Sequence, residues 1–330
     1  MLKKSFAAFC ILNLLGSTVQ AATADEVAAV NAKISADSLL VSQWTTSQFK
    51  YAIPFNSTSG NVIPSQLKIF GFEAGVEGVV SATKLDVDGF RNLNTSLVDT
   101  KSIDMFSRLP IPMILGHAKI GLPFGLDAGI RLGGIPEKNI DKDDTKIKIK
   151  NKVVGLDLRK KIIEEGAVKP FGLTLGLNYT HADGSLDITN TYSSLSTTVD
   201  VNGTPHTASI QDGLTAQHTS WKTNSVGLQA ILDKQIFFIT PYLGASVNRN
   251  SGDIHNSIST TGTPVIDGTA DPSDPISGLG TSTEKANKWD VRALLGFDFS
   301  LLPFIRLGIH GEYAGSKNAA GDIGLRVQFR

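Results

Sequence analysis

The feature that most constrains this chain is an alternation of apolar with small or polar residues, which returns in ten segments. Between positions 171 and 179 every odd residue is large and apolar, whereas the even residues are Gly172, Thr174, Gly176 and Asn178. Side chains alternate across a strand, so each segment has one apolar and one polar face. A tilted strand of roughly 10 residues crosses a bilayer. The pattern therefore predicts an all-β chain of about ten strands.

The polar face of these segments distinguishes a membrane barrel from a soluble protein. Glycine makes up 32 of the 330 residues, an excess over the usual level of about 7%. It falls on the polar face beside charges of both signs, which suits an enclosed lumen. The prediction is a transmembrane, antiparallel up-and-down β-barrel whose apolar face meets lipid, with a soluble β-sandwich as the alternative.

The links between the predicted strands give an independent indication. Long links (82–112, 133–149, 182–221 and 251–287) alternate with short ones near 123, 164–169, 233–235 and 300–303. Outer-membrane barrels alternate short periplasmic turns with long outer loops. The residues of 183–218 and 251–287 are mostly Ser, Thr, Asn, Asp and Gly, so we expect solvated loops there.

The N-terminus carries the parts of an export signal in their usual order. Lys3 and Lys4 precede an apolar stretch from Phe6 to Leu15, and Ala21 is the small residue before the cleavage point, so residues 1–21 are predicted to be removed. Cys10, the single cysteine, is lost with them, which excludes a disulfide and thiolate chemistry. Removal also takes two of the 31 basic residues against 31 acidic ones. No basic excess remains, so no nucleic-acid partner is expected.

Residues 22–66 form a lead segment before the barrel domain, which spans 67–330. Thr23–Val41 has helical spacing of its apolar residues and an acidic first turn. Pro54, Gly60 and Pro64 indicate a linker after it. Two placements stay open for the helix, as a plug in the lumen or outside it on the periplasmic side.

Charged residues on the polar face are predicted to line the lumen as one network. A ten-stranded bore is little wider than the eight-stranded one that side chains fill, so opposite charges should pair and narrow it. The predicted network comprises Glu73, Glu77, Lys119, Asp127, Arg131, Asp157, Arg159, Asp290, Arg292, Arg306, Glu312 and Arg326.

Four lysines and several aromatic residues have the parity of the lipid-facing side. Lys146, Lys148, Lys150 and Lys152 are predicted to point outward at the outer rim, where lipopolysaccharide phosphates lie. The alternative is a strand edge kept soluble by lysine. Trp221 has the wrong parity for an interfacial aromatic girdle.

The export signal, the glycine-rich alternation and the last strand, Gly324–Phe329, together resemble bacterial outer-membrane β-barrel proteins. The helical lead is loosely similar to barrels of the fatty-acid-transport type. The resemblance implies a place in the outer membrane and, for Phe329, an aromatic assembly signal read by the barrel-assembly machinery. In this chain Arg330 follows the aromatic residue, which departs slightly from the family pattern.

No catalytic motif stands out. None of the six histidines has metal-ligand spacing, so no enzyme activity, metal or cofactor is predicted. The leading hypothesis is a narrow channel or a transporter of small solutes or lipids. The alternatives are a structural or surface-interaction barrel without transport and, third, a rim hydrolase using His181 or His218. The sequence specifies neither a transported substrate nor an oligomeric state.

Overall fold

The structure, a computed structural model, describes residues 23–60, 63–64, 67–93, 95, 107–166, 168–270 and 274–329. The predicted signal peptide lies outside these residues. No helix within the described ranges is both long enough and apolar enough to span a membrane. The elements are α1 (Ala24–Thr58), β1 (Phe72–Lys84), α2 (Val87–Arg91), β2 (Arg108–Leu122), a 3-10 turn (Pro123–Gly125), β3 (Leu126–Lys142), β4 (Thr145–Ile163), β5 (Gly172–Val201), β6 (Thr204–Asp233), β7 (Ile239–Ile266), β8 (Thr269–Ala270), β9 (Ile276–Lys285), β10 (Trp289–Leu302), β11 (Ile305–Ala314) and β12 (Asn318–Phe329).

Ten antiparallel strands close into a ring. Sequence neighbours pair from β1 to β7, β10 pairs with β11 and β11 with β12, and β12 pairs with β1. The ring closes where β10 pairs with the first half of β7, from Ile239 opposite Phe299 to Arg249 opposite Trp289. The predicted up-and-down barrel of about ten strands is therefore confirmed.

The two faces of the barrel wall carry opposite chemistry. Val76, Leu156 and Leu295 point outward and are 59%, 53% and 59% exposed, so they form part of an apolar belt that faces lipid. Residues of the opposite parity point into the bore and are buried. In the bore, glycine makes room for large neighbours: a Cβ at Gly155 would lie 2.4 Å from Nε of Arg131.

The predicted solvated loops 183–218 and 251–287 are largely strand instead. β5 and β6 have 30 residues each and β7 has 28, far more than the 9–11 needed to cross a bilayer. Two-residue turns with positive φ close the hairpins, Asn202-Gly203 and Asp267-Gly268. Asn-Gly and Asp-Gly are strong hairpin signals. The sequence did not indicate these strands because their inner face mixes apolar with polar residues, such as Ile254, Asn256 and Ile258, so the alternation is weak.

The extended hairpins form a wall on one side of the barrel, which we call the crown (residues 135–151, 182–223, 252–270 and 274–285). Within it, β9 pairs with the second half of β7, directly beyond β10. Helix α1 packs along β9, whose Ser277 N–H donates to Asn31 Oδ1 at 2.8 Å. A Cβ at Gly280 would lie 2.1 Å from the backbone N of Leu39. Glycine here permits close approach of helix and strand.

Helix α1 is longer than the sequence predicted, because it continues from Val41 through Pro54 to Thr58. A capping box between Thr23 and Glu26 starts it. Its N-terminal turns pack against Val199, Ile210 and Ile266 near the hairpin tips.

The C-terminal end of α1 lies inside the bore, and the chain leaves at the opposite end of the barrel. There the N–H of Phe70 donates to Gly121 O at 2.9 Å, just before β1 begins. The N-terminal segment therefore runs through the barrel from the hairpin end to the short-turn end. Of the two placements that the sequence left open, the structure shows the plug.

Candidate functional site: the plugged bore

All twelve charged residues predicted to line the lumen point into it and are buried. Their exposed fractions range from 2% to 8%. They lie mainly on β1–β4 and β10–β12, whereas the inner face of β5–β7 at the same depth carries neutral polar groups such as Gln229, Ser246 and Asn248. The bore therefore has a charged side and a neutral side.

Arg131 on β3 binds the end of the plug helix. Its Nη1 donates to the carbonyl oxygens of Ser59 at 3.2 Å and Gly60 at 3.4 Å, and its Nη2 donates to Ser57 O at 3.1 Å. Nη2 also donates to Thr180 Oγ1 at 2.5 Å. The last carbonyls of a helix have no intrahelical donor and carry the negative end of the helix dipole. A guanidinium satisfies both requirements.

Arg292 and Glu312 complete this contact from the other side. Nη1 of Arg292 donates to Glu312 Oε2 at 2.6 Å, and its Nη2 donates to Thr58 Oγ1. The guanidinium also lies over the ring of Phe55, 4.3 Å from the centroid. Glu312 Oε1 accepts from the N–H of Gly60 at 2.9 Å. We call Arg131, Arg292 and Glu312 the clasp.

A second network holds the wall together on the charged side. Arg326 pairs with Glu73 at 2.9 Å and with Asp298 at 2.6 Å, and Arg306 reaches the same Asp298 at 3.2 Å. Lys119 is 3.4 Å from Glu73. Asp298 is 0% exposed and was missed by the predicted network, although it shares its parity.

His310, Glu312 and Asp322 form the one group of described residues with the spacing of a metal site. His310 Nδ1 lies 2.5 Å from Asp322 and its Nε2 lies 3.4 Å from Glu312. Both carboxylate oxygens of Glu312 already accept from Gly60 and Arg292. We therefore assign this cluster to the ion-pair network.

Little free space is left beside the plug. The void bounded by Thr58, Gly60, Arg131, Arg292 and other bore residues measures about 20 Å³, which is room for about one water molecule.

The structure explains the unusual parity of Trp221, which lies closer to the crown. It points inward and is 4% exposed, its ring centroid is 6.2 Å from that of Phe49 of α1, and its Nε1 donates to Asn151 Oδ1 at 3.0 Å.

The four lysines Lys146, Lys148, Lys150 and Lys152 are exposed on the outer face of β4. They are not isolated charges. Lys148 pairs with Glu137 at 2.9 Å, and its ammonium holds the pKa of that carboxyl below its usual range. Lys152 is opposite Asp183 in the ladder.

The two histidines of the hydrolase alternative lie apart on the crown. His181 Nδ1 is 2.9 Å from Asn224 Oδ1, and His218 Nδ1 is 2.5 Å from Asp187 Oδ1. Among the described residues, no serine or threonine hydroxyl is hydrogen-bonded to either imidazole.

Phe329 ends β12 on the outer face, at the short-turn end. Its ring stacks on Phe72 of β1 at 4.8 Å and on Phe304 at 6.1 Å. The three rings cover the seam where the first and last strands pair.

The sequence matches a family of unknown function, DUF6588, over residues 102–329, more than two thirds of the chain. The chain belongs to this family. The matched part of the DUF6588 chain holds the barrel from before β2 to the end of β12, whereas α1 and β1 precede it. No curated protein matches the sequence.

Solved structures similar to this DUF6588 protein are outer-membrane barrels. They include the outer membrane protease OmpT from Escherichia coli, at 11% identity and a TM-score of 0.40, covering 83% of this chain and 100% of that one. The translocator domain of the autotransporter NalP from Neisseria meningitidis has 10% identity and a TM-score of 0.32, covering 90% and 100%. Ail, the attachment invasion locus protein of Yersinia pestis, has 8% identity and a TM-score of 0.26, covering 79% and 98%.

Proposed function

We propose that the protein is a gated channel of the bacterial outer membrane, closed at rest by its own N-terminal helix. The observation that carries this proposal is the clasp. Two arginines and a glutamate of the wall bind the end of α1, and the void beside this contact admits about one water molecule.

The middle and the end of α1 meet the wall partly through polar contacts, whereas its N-terminal turns pack on apolar residues of the crown. The part of α1 that faces the wall includes buried Ser42, Thr46 and Asn56. Ser42 and Asn56 donate to wall carbonyls at 3.0 Å, and Thr46 is 3.0 Å from Ser282 Oγ. Replacing these polar contacts with water costs less than exposing Phe49 and Ile53, which pack in an apolar cluster with the wall. Release of α1 would open a bore lined with charges, suited to small hydrophilic solutes.

Ion conductance in planar bilayers tests this proposal. We expect the full chain to be nearly silent and a variant lacking residues 22–60 to conduct steadily. Heat-modifiable migration on a gel first verifies that both barrels are folded. Silence of the shortened, folded barrel would contradict a channel function.

The crown favours a second function, the binding of a surface partner. Strands of 28 to 30 residues reach well beyond the apolar belt, and conduction alone does not require that height. If this is the main role, shortening the β5–β6 hairpin should abolish partner binding and leave the conductance of the plug-deleted barrel unchanged.

The outward lysines support lipopolysaccharide as a lipid partner. Their ammonium groups lie above the apolar belt, where lipid phosphates would be within reach. Replacing Lys146, Lys148, Lys150 and Lys152 with glutamine should reduce lipopolysaccharide co-purification. Unchanged retention would contradict this role; protection of a strand edge does not explain the lysines, because β4 pairs with both β3 and β5 here.

The barrel-assembly machinery is the second partner that we propose, with Phe329 as the residue it reads. Exposure of 46% leaves the ring partly accessible although it stacks on Phe72. Phe329→Ala should slow assembly in cells, whereas Phe304→Ala, which alters the same stack, should not. Equal effects would indicate that stacking at the seam, rather than recognition, is what matters.

A further inference from the structure

A pocket of about 600 Å³ lies between α1 and the barrel wall. It is at the hairpin end of the barrel, on the side across from the crown. We call this place the low rim, because β1 ends there at Lys84 and the turn between β11 and β12 lies beside it. The lining residues that matter below are Ser47, Lys50, Tyr51, Thr83, Lys84 and Lys317.

Three lysines, Lys50, Lys84 and Lys317, line this pocket. Nζ of Lys317 lies 4.2 Å from the centroid of the Tyr51 ring, and Nζ of Lys50 lies 5.7 Å from the same centroid. Lys84 is the third lysine of the lining, and its backbone N–H donates to the backbone carbonyl oxygen of Lys317 at 2.6 Å. Three lysines against two aspartates, Asp86 and Asp88, give the lining a net positive charge, which favours a bound anion.

Negative groups are also present, but most are engaged. Asp86 Oδ1 accepts from the N–H of Gly89 at 2.9 Å and caps α2. Glu284 lies 3.5 Å from Lys50, outside the pocket lining. Asp88, in the first turn of α2, is left as the acceptor that faces the pocket.

A buried hydroxyl at this site lacks a partner. Thr83 is 2% exposed, and its Oγ1 makes no hydrogen bond to any described residue although Thr83 lines the pocket. A buried hydroxyl without a partner costs about 1–3 kcal/mol. Such a group indicates a bound water or a ligand hydroxyl.

The frame of the pocket is preformed. Trp44 Nε1 donates to Asp86 O at 2.9 Å, and the N–H of Asp86 donates to Gln48 Oε1 at 3.0 Å. These bonds join α1 to the segment after β1, so a ligand would meet a site that needs little ordering.

We propose that the low-rim pocket binds a small hydroxylated anion of the sugar-phosphate or sugar-acid class. The ammonium groups of Lys84 and Lys317 bind the phosphate or carboxylate. Thr83, Ser47 and Asp88 pair with the hydroxyl groups. A pocket of this size suits a small ligand. The inference goes beyond the proposed channel, because α1 lines the pocket while it is in place and binding does not require α1 to move.

Calorimetry on the full chain in detergent micelles tests binding separately from conductance. Glucose 6-phosphate and galacturonate are the probes, and glucose is the neutral control. We expect both anions to bind and glucose to bind at least about tenfold more weakly, since it lacks the charge-assisted bonds.

Three variants distinguish this site from general attraction to lysine. Lys84→Gln combined with Lys317→Gln should raise the Kd by at least about tenfold. Thr83→Val keeps the shape and should raise it by roughly threefold while leaving the fold intact. Lys288→Gln changes an exposed lysine outside the pocket and should have no effect. The proposal is overturned if neither anion binds, if glucose binds equally well, or if the pocket variants bind like the Lys288 variant. A silent channel with intact binding would contradict the proposed function and leave this inference standing.

Discussion

Replacing Arg131 with alanine is the sharpest test of the clasp. The substitution removes the donors to the carbonyls of Ser57, Ser59 and Gly60, which now lie 3.1 to 3.4 Å from the guanidinium. It also removes the bond to Thr180. The wall keeps its strand pairing, because Arg131 acts only through its side chain. The change therefore weakens the attachment of the plug more than the barrel.

The expected magnitude follows from the carbonyls left without a donor. Each buried polar group without a partner costs about 1–3 kcal/mol, and the costs are not additive since water can reach part of the space. A net loss of about 3–4 kcal/mol changes an equilibrium by a few hundredfold. A plug that is released about 0.01% of the time would then be released for a few per cent of it.

Single-channel recording in planar bilayers resolves such a change. Arg131→Ala should show frequent opening events of the same conductance as the plug-deleted barrel, whereas the unaltered chain should show almost none. Arg306→Ala is the matched control. Arg306 is also a buried arginine of the bore, but it pairs with Asp298 of the wall at 3.2 Å. Traces of Arg131→Ala that equal those of Arg306→Ala would refute the reasoning.

Further predictions concern the path of the N-terminal segment. Gly280→Val should lower the free energy of unfolding of the crown by roughly 1–3 kcal/mol, because a Cβ there would lie 2.1 Å from the helix backbone. Gly78→Val is the control and should have no such effect, since a Cβ at Gly78 would have nothing within 4 Å. Equal melting temperatures of the two variants would disprove the close packing of α1. The mature chain is predicted to have no cysteine, so a single introduced cysteine can be labelled selectively. Ala24→Cys should react with a membrane-impermeant maleimide on intact cells, whereas Val168→Cys, at the short-turn end, should not. The reverse labelling would contradict the path of the N-terminal segment through the barrel. The hydrogen bond from His206 lowers the pKa of Asp267. Ionised Asp267 therefore stabilises the hairpin tip fully above about pH 4, and this contribution is lost as the pH falls through the lowered pKa. Hydrogen exchange at this hairpin tip, corrected for intrinsic rate, should therefore rise in acid, and Asp267→Asn should remove that dependence; an unchanged acid response in the variant would show that other groups control it.

The barrel itself could be predicted from the sequence because its information is local. Alternation at a period of two assigns each residue to a face without reference to the rest of the chain. All ten ring strands and the inward direction of Glu73, Arg131 and Arg292 followed from that rule alone. Asp298 obeys the same rule and could have been included.

The crown and the plug depended on information that alternation does not carry. In the extensions of β5–β7 the face that packs on α1 mixes apolar with polar residues, so only the Asn202-Gly203 and Asp267-Gly268 turns marked the hairpins. In sequence, the polar residues of α1 between Ser42 and Asn56 are typical of an exposed surface or a linker. Only the structure shows that a largely polar wall surrounds them.

What the sequence by itself determined is the wall: the number of strands, their faces and the charges of the bore. Only the tertiary structure decided that the bore is closed, and by which residues. The carbonyls of Ser57, Ser59 and Gly60 are backbone atoms that any sequence supplies, and Arg131 could have paired with a neighbouring carboxylate instead. The clasp joins residues more than 70 positions apart in the chain, and contacts of this kind exist only once the ring has closed around the helix.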